Sequence, residues 1–184
     1  GLGLEIVDLR GNVDTRLAAV DSGRCDAIIL AAAGLRRLGR QAVITEFLDP
    51  IQMLPAPGQG VLALEVRADD PRTRDIVSAL DDEDSRAAAT AERALLATLE
   101  AGCSAPVGAL AEVVLGDEGD ELSLRAVVAA PDGSGELRRS LVGPLTDPTG
   151  LGQRLAGLLL EDGAADLATE LISSARPTAP ERVP

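Results

Sequence analysis

Two basic stretches within the first forty residues could bind an anion. Residues 9–16 read LRGNVDTR, so Arg10 and Arg16 flank a glycine turn between a predicted strand and the start of a predicted helix. Main-chain N–H groups at a helix N-terminus, together with guanidinium groups, favour a carboxylate or a phosphate. The same spacing also allows these arginines to pair with Asp8 and Asp14 on the surface. From the residues alone, both interpretations stay open.

The second basic pair, Arg36 and Arg37, follows the predicted strand at 27–33. Ligands of open parallel sheets usually bind beyond the carboxyl ends of the strands, where these arginines would lie. A solvated loop explains the same two residues equally simply.

The third candidate is Cys103, which stands between Gly102 and Pro106 just after a predicted helix. A cysteine in a loop is available as a nucleophile or an attachment point, with an idle thiol as the alternative. The preceding helix presents its partly negative end, so activation would need nearby arginines or a strongly electrophilic partner. Cys25 precedes an apolar run, and we expect a small buried residue there.

The composition excludes several kinds of chemistry. The 184 residues contain no His, every basic side chain is Arg, and the net charge is −13. Histidine-dependent nucleophilic catalysis and Schiff-base lysines are therefore excluded within the chain, and no metal site is expected. The chain has one Phe and neither Trp nor Tyr, which together with the acidic charge argues against a nucleic-acid partner.

The chain has the composition of a globular protein. The hydrophobic fraction is 46%, and no apolar run approaches the roughly 20 residues of a membrane span, so no membrane partner is expected. The two cysteines favour a cytoplasmic location.

The predicted elements change type near residue 82. Before it we predict a strand at 4–9, a helix at 13–22, a strand at 27–33, a Pro- and Gly-rich crossover at 50–60, a strand at 61–67 and a helix at 71–80. Strand, helix and strand at this spacing form a βαβ unit, which predicts a parallel sheet.

After residue 82 the pattern predicts a smaller α+β part. The elements are a helix at 85–101, strands at 107–115, 122–130 and 136–142, and helices at 148–160 and 164–174. Short turns between the strands predict an antiparallel meander. We interpret the acidic run at 81–84 as a solvated linker and helix N-terminus.

Five segments in this order resemble porphobilinogen deaminase, also called hydroxymethylbilane synthase. They are LRGNVDTRL (9–17), DAIILAAAGLRRLG (26–39), LPAPGQG (54–60), TAERALLATLEAGCSAPVGA (90–109) and LRAVVAAPDG (124–133). The stretch LEAGCSAPVG around Cys103 is the most diagnostic of them.

The resemblance implies an enzyme, a transferase of porphyrin and heme biosynthesis. The family joins four porphobilinogen units head to tail into a linear tetrapyrrole and releases ammonia at each step. Growth is primed on a dipyrromethane cofactor, which a thioether would attach to Cys103. In the family's pattern the cofactor and the pyrrole oligomers are held by Arg10, Arg16 and Arg37, with hydrogen bonds from Gly11, Asn12 and Thr15.

The resemblance also implies a fold and a domain organisation. Residues 1–54 would be the remainder of an α/β domain resembling half of a type II periplasmic binding protein. Residues 55–82 would be a crossover returning to the first domain, and residues 83–184 a third, α+β domain with the attachment loop at 102–106.

The family's catalytic Asp has no counterpart in this chain. We therefore expect a C-terminal portion, inactive alone, whose partner is a missing N-terminal domain and which is a monomer at full length. The alternative is a non-enzymatic anion-binding module of periplasmic-binding-protein-like fold. It would explain the arginines, and the Pro- and Gly-rich stretch at 50–60 as a hinge, but it gives no reason for residues 102–106. A degenerate or split relative kept for interaction alone is a weaker third option.

Overall fold

The computed structural model describes residues 3–99, 106–116 and 119–169 of the chain. Its regular elements are α1 (Val13–Asp21), α2 (Ala32–Arg37), α3 (Pro71–Val77), α4 (Glu83–Thr98), β1 (Val107–Gly116), β2 (Gly119–Ala129), β3 (Glu136–Pro144), α5 (Pro148–Glu161) and α6 (Ala164–Thr169), with short 3₁₀ helices at Gln41–Val43 and Ser78–Leu80. The chain divides between Asp49 and Pro50 into two compact units.

The first unit contains α1 and α2. Asn12 caps α1, because its side chain accepts a hydrogen bond from the main-chain N–H of Thr15. Gly23 follows the helix with φ +70°, the left-handed conformation that commonly ends helices. Ala19 and Leu35 are the buried apolar side chains described in this unit. The predicted helix at 13–22 is therefore confirmed.

The segments predicted as strands at 4–9, 27–33 and 61–67 are not paired in a sheet among the described residues. These segments pair with no other strand, and α2 begins at Ala32, inside the second of them. A strand needs a neighbour to bond its N–H and C=O groups, and the described residues offer these segments none. Ile6 and Leu62 are accordingly 87% and 84% exposed. The predicted parallel sheet is absent from the described part of the chain.

The second unit contains an antiparallel sheet in the order β1-β2-β3. Val107 pairs with Val128, and Val128 in turn pairs with Leu137, so the three strands form a meander in register. The turn from β2 to β3 has Gly133 at φ +74°. The predicted α+β character and the three strands are confirmed, while residues 117 and 118 of the first predicted turn lie outside the described residues.

Helices α4 and α5 cover one face of this sheet. The core consists of alternate residues from the strands and one face of each helix, and its largest fully buried side chains are Leu95, Leu122, Leu124, Val128, Leu151, Leu155 and Leu159. The helices lie close together at Gly152, where an added Cβ would meet the main chain of Ala91 and Leu95. This packing fixes α4, which carries the buried side chain of Glu92.

The predicted acidic linker at 81–84 is confirmed as the start of α4. Asp82 accepts a hydrogen bond from the N–H of Ser85, and Glu83 and Asp84 lie in the first turn, where negative charge is favoured. The helices predicted at 71–80, 85–101 and 148–160 are also found, each with an N-cap aspartate. The helix predicted at 164–174 is described as far as Thr169.

Within the described residues, no helix combines the length and the apolar character that crossing a membrane requires.

Candidate functional site

The first candidate site is built around the N-terminus of α1. Gly11 has φ +124°, and a Cβ at this position would lie 2.8 Å from Cγ2 of Thr15. Oδ1 of Asn12 accepts hydrogen bonds from both the N–H and the hydroxyl of Thr15, at 2.9 and 2.8 Å. Gly11, Asn12 and Thr15 therefore hold one another in place through local geometry.

The two arginines of this site differ in how they are held. Nε of Arg16 donates to the carbonyl of Gly11 at 2.9 Å, so the turn fixes this side chain while its outer N–H groups bind no described residue. Arg10 lies 3.9 Å from Asp8 and is almost fully exposed, a pairing that holds it weakly. Asp14 pairs with Arg40 at 3.0 Å and not with Arg16. Of the two surface pairings that the sequence allowed, only the one with Asp8 is formed.

The second basic pair lies in the last turn of α2. Arg36 lies over the ring of Phe47, 5.3 Å from its centroid, as in a cation–π contact. Arg37 is exposed and forms no hydrogen bond or ion pair with the described residues. The structure thus brings Gly11, Asn12, Thr15 and Arg16 together, with Arg10 next along the chain, and describes no contact between this group and Arg37.

The cysteines give less information. Cys103 lies outside the described residues. Cys25 is a free thiol and is half-buried rather than fully buried. The described residues contain no group of acidic or sulfur ligands that could hold a metal ion.

A cavity of about 350 Å³ lies on the sheet of the second unit, and arginines line it. Arg125 binds Glu112 at 2.8 Å, Arg138 binds Glu136 at 2.8 Å, and Arg139 binds Asp162 at 2.7 Å. These guanidinium groups are already neutralised by carboxylates. The cavity is therefore a poorer anion site than its arginine content suggests.

The sequence interpretation did not identify Glu92, the buried carboxylate of α4. Its side chain accepts hydrogen bonds from the N–H of Gly58 at 2.6 Å and from the N–H of Ala111 at 2.8 Å. The residue is only 7% exposed. Burial raises the pKa of this carboxyl, and the two N–H donors lower it by less.

A sequence signal for Glu92 exists. The spacing of Ala88, Ala91, Leu95 and Leu99 in the sequence predicts an apolar face of α4. Glu92 lies on the same face, four residues after Ala88 and three before Leu95. A carboxylate on an apolar face must accept hydrogen bonds when it is buried. Without such donors it would prevent that face of the helix from packing. Which donors it finds could not be predicted, because Gly58 and Ala111 are distant in sequence.

Comparison with known proteins finds one family. Residues 2–75 match the family model "Porphobilinogen deaminase, dipyromethane cofactor binding domain", and residues 87–161 match "Porphobilinogen deaminase, C-terminal domain". Together these two regions include most of the chain.

The curated relatives have the same name. The porphobilinogen deaminase of Nocardia farcinica is 57% identical over 179 residues, which cover 95% of this chain and 52% of the relative. That of Mycobacterium ulcerans is 58% identical over 172 residues, 91% of this chain and 55% of the relative. That of Mycolicibacterium gilvum is 56% identical over 175 residues, which cover 92% of this chain and 56% of the relative. The chain spans about half the length of the curated relatives it matches.

Proposed function

The chain belongs to the porphobilinogen deaminase family, and we propose that it contributes to an enzyme that joins four porphobilinogen units into a linear tetrapyrrole with release of ammonia. The observation that carries this proposal is 57% identity over 95% of the chain to a protein of that name. At this identity the relationship includes both matched regions and does not rest on a single motif.

The donor set at the start of α1 fits a dipyrromethane cofactor, which carries acetate and propionate arms. Carboxylates are bound well by guanidinium forks, whose charge is fixed and whose N–H groups match both oxygens. The outer N–H groups of Arg16 bind no described residue, and Arg37 is free of ion pairs among those residues. We assign Arg10, Arg16 and Arg37 to the acidic arms, with Gly11, Asn12 and Thr15 shaping the turn.

Cys103 is the proposed attachment point, through a thioether. It lies within the region that matches the C-terminal family domain. The bound cofactor supplies the pyrrole carbon on which the chain grows. The residues described here have three tasks: they bind carboxylates, orient the arms and hold the turn at Gly11.

The finer fold assignment is also a proposal. Residues 1–54 would belong to a domain resembling half of a type II periplasmic binding protein, residues 55–82 to a crossover, and residues 83–184 to the α+β domain. The segments 4–9, 27–31 and 61–67 would become strands of a parallel sheet when neighbouring strands are supplied. Support comes from their alternating or continuous apolar patterns and from their exposure in this structure.

Intact mass measurement of the full-length protein tests the proposal. We expect an adduct of two pyrrole rings that disappears in Cys103→Ser and remains in Cys25→Ser, since Cys25 is a thiol of the same chain with no assigned role. Porphobilinogen turnover should be lost in the first variant only. Full turnover by Cys103→Ser, or a bare thiol in a protein that turns over porphobilinogen, would overturn the attachment at Cys103. A bare thiol without turnover would instead favour a non-enzymatic anion-binding module.

A further inference from the structure

Residues 51–58, which we call the strap, are bound at two places to the sheet of the second unit and at a third to α4. The guanidinium of Arg138 donates to the carbonyls of Ile51 and Gln52, each at 3.0 Å. The N–H of Ala109 donates to the carbonyl of Pro55 at 2.9 Å. The N–H of Gly58 donates to Glu92 at 2.6 Å.

The strap lies along the edge of β1 that does not pair with β2. Ala109 and Ala111 are two apart in β1, so their N–H groups leave the strand on the same edge. Pro55 supplies the acceptor for the first of these groups. An added Cβ at Gly108 would lie 2.9 Å from Cβ of Leu54, so the strap also lies close against the strand. An unpaired edge of this kind would otherwise be open to pairing with another chain.

Beyond Pro55 the strap turns away from the strand. The N–H of Gln59 donates to the carbonyl of Ala56 at 3.0 Å, and Gly58 has φ +76°. Proline followed by glycine at the two central positions is typical of a type II turn. The strap therefore offers no further carbonyl to β1, and the N–H of Ala111 would be left without an acceptor.

Glu92 supplies that acceptor. One carboxylate oxygen takes the N–H of Ala111 and the other takes the N–H of Gly58 in the turn. The carboxylate thus replaces the carbonyl that a neighbouring strand would have provided, and it joins α4, β1 and the strap. No arginine is bonded to it in the described part of the chain, so this buried charge is stabilised by main-chain dipoles.

We propose that Glu92 is a positioning residue, whose carboxylate holds the strap on the edge of β1 and fixes β1 relative to α4. This inference rests on the proposed function. Helix α4 ends at Thr98 and β1 begins at Val107, so these are the described elements that precede and follow Cys103 in the chain. A change in their relative position would change where the attachment residue is held.

Hydrogen exchange in the full-length protein tests the contacts without reference to catalysis. Glu92→Gln keeps the size of the side chain but turns one acceptor oxygen into an NH₂ group that faces a donor. We expect the amides of Gly58 and Ala111 to exchange at least about tenfold faster, while β3 is unchanged. Glu112→Gln is the matched control, because Glu112 is an exposed glutamate of β1 that binds Arg125. Unchanged exchange at both amides would overturn the inference.

Kinetics test the positioning role. In Glu92→Gln we expect kcat to fall by about tenfold or more with KM nearly constant, and the pyrrole adduct on Cys103 to remain. Glu92→Asp, which keeps the carboxylate, should recover part of kcat. Leu158→Gly is the control for lost stability alone, because it weakens α5 at a position that is 40% exposed and outside the buried core. A kcat in Glu92→Gln equal to that of this control would overturn the inference. A wild-type protein without turnover would contradict the proposed function, and hydrogen exchange would then decide whether Glu92 holds the strap.

Discussion

The energetics of Glu92 depend on two opposing effects at a single residue. Removing a carboxylate from water is costly unless donors replace the water, and at 7% exposure little water remains. Two N–H groups of the main chain compensate in part, but burial prevails and raises the pKa above its ordinary value of 4.5. The folded protein therefore holds a proton on Glu92 more tightly than the unfolded chain does.

This pKa shift predicts a pH dependence of stability. Because the folded pKa is raised, the stability that Glu92 contributes is fully present below about pH 4.5 and is lost as the pH rises through the folded value. Gln does not titrate. The free energy of unfolding of wild type minus that of Glu92→Gln should therefore be largest in acid and decrease toward neutral pH, as urea unfolding at each pH would measure.

Asp147→Asn provides the opposite case. Arg154 and the N–H of Gly150 hold the pKa of Asp147 below its ordinary value, so its contribution is present above that value and is lost as the pH falls. The difference between wild type and Asp147→Asn should increase with pH. If Glu92→Gln behaves in the same way, the N–H donors outweigh burial and the assigned direction of the Glu92 shift is wrong.

Gly11 gives a prediction based on main-chain conformation. Gly11→Ala would place a Cβ 2.8 Å from Cγ2 of Thr15 at φ +124°, so we expect a cost of about 1–3 kcal/mol to the start of α1. Gly34→Ala in α2 is the control, because a Cβ there meets nothing within 4 Å. Hydrogen exchange of the α1 amides should speed up in the first variant and not in the second. Equal rates in both would show that Thr15 moves aside at little cost.

Residues whose partners are close in sequence could be predicted. The turn at Gly11 and the arginines around it follow from spacing within eight residues, and the structure adds that Arg16 is fixed by the carbonyl of Gly11. The pairing of Asp14 with Arg40 could not be predicted, because the loop between them brings the two together. The two donors of Glu92 could not be predicted for the same reason, although its place on the apolar face of α4 is visible in the sequence.

At the scale of elements, a helix or strand can be predicted from the sequence when its main-chain hydrogen-bond partners lie within it or in the adjacent element. Helices bond internally and show local caps, so α1, α4 and α5 were predicted close to their observed bounds. The meander β1-β2-β3 joins strands that are adjacent in sequence by short turns. The segments at 4–9 and 61–67 have the apolar patterns of strands but no neighbouring strand among the described residues. Without a neighbour, the pattern alone does not produce the hydrogen bonds of a sheet.

The contact between α4 and α5 predicts a steric effect at Gly152. Gly152→Ala would place a Cβ 2.8 Å from both Cβ of Ala94 and N of Leu95, so we expect a loss of about 1–3 kcal/mol in urea unfolding. Gly157→Ala in the same helix should gain about 0.5–1 kcal/mol, because its Cβ meets nothing within 4 Å. A neutral Gly152→Ala would mean that the helices separate readily.

At the scale of the whole molecule, the proposed function requires an acidic chain to bind an acidic ligand. With a net charge of −13, its overall field repels carboxylates, and binding depends on local guanidinium groups. In the second unit, several arginines already bind carboxylates of the chain, as Arg86 does with Asp81 and Arg154 with Asp147. Arg16 and Arg37 have no such partner among the described residues, which leaves their charge available to a ligand.

The exposed apolar segments predict a difference between the 184-residue chain and a protein of the relatives' full length. Leu4, Ile6 and Leu62 are more than two-thirds exposed. Contact of such large apolar side chains with water is unfavourable in free energy. We expect slow hydrogen exchange at 4–9, 27–31 and 61–67 in a protein of the relatives' full length, and fast exchange in the chain of 184 residues. If the proposed function holds, porphobilinogen should be turned over by the protein of the relatives' full length and not by the 184-residue chain, which spans about half that length. Turnover by the 184-residue chain alone, or fast exchange of these segments at full length, would contradict the proposed parallel sheet and its role in the enzyme.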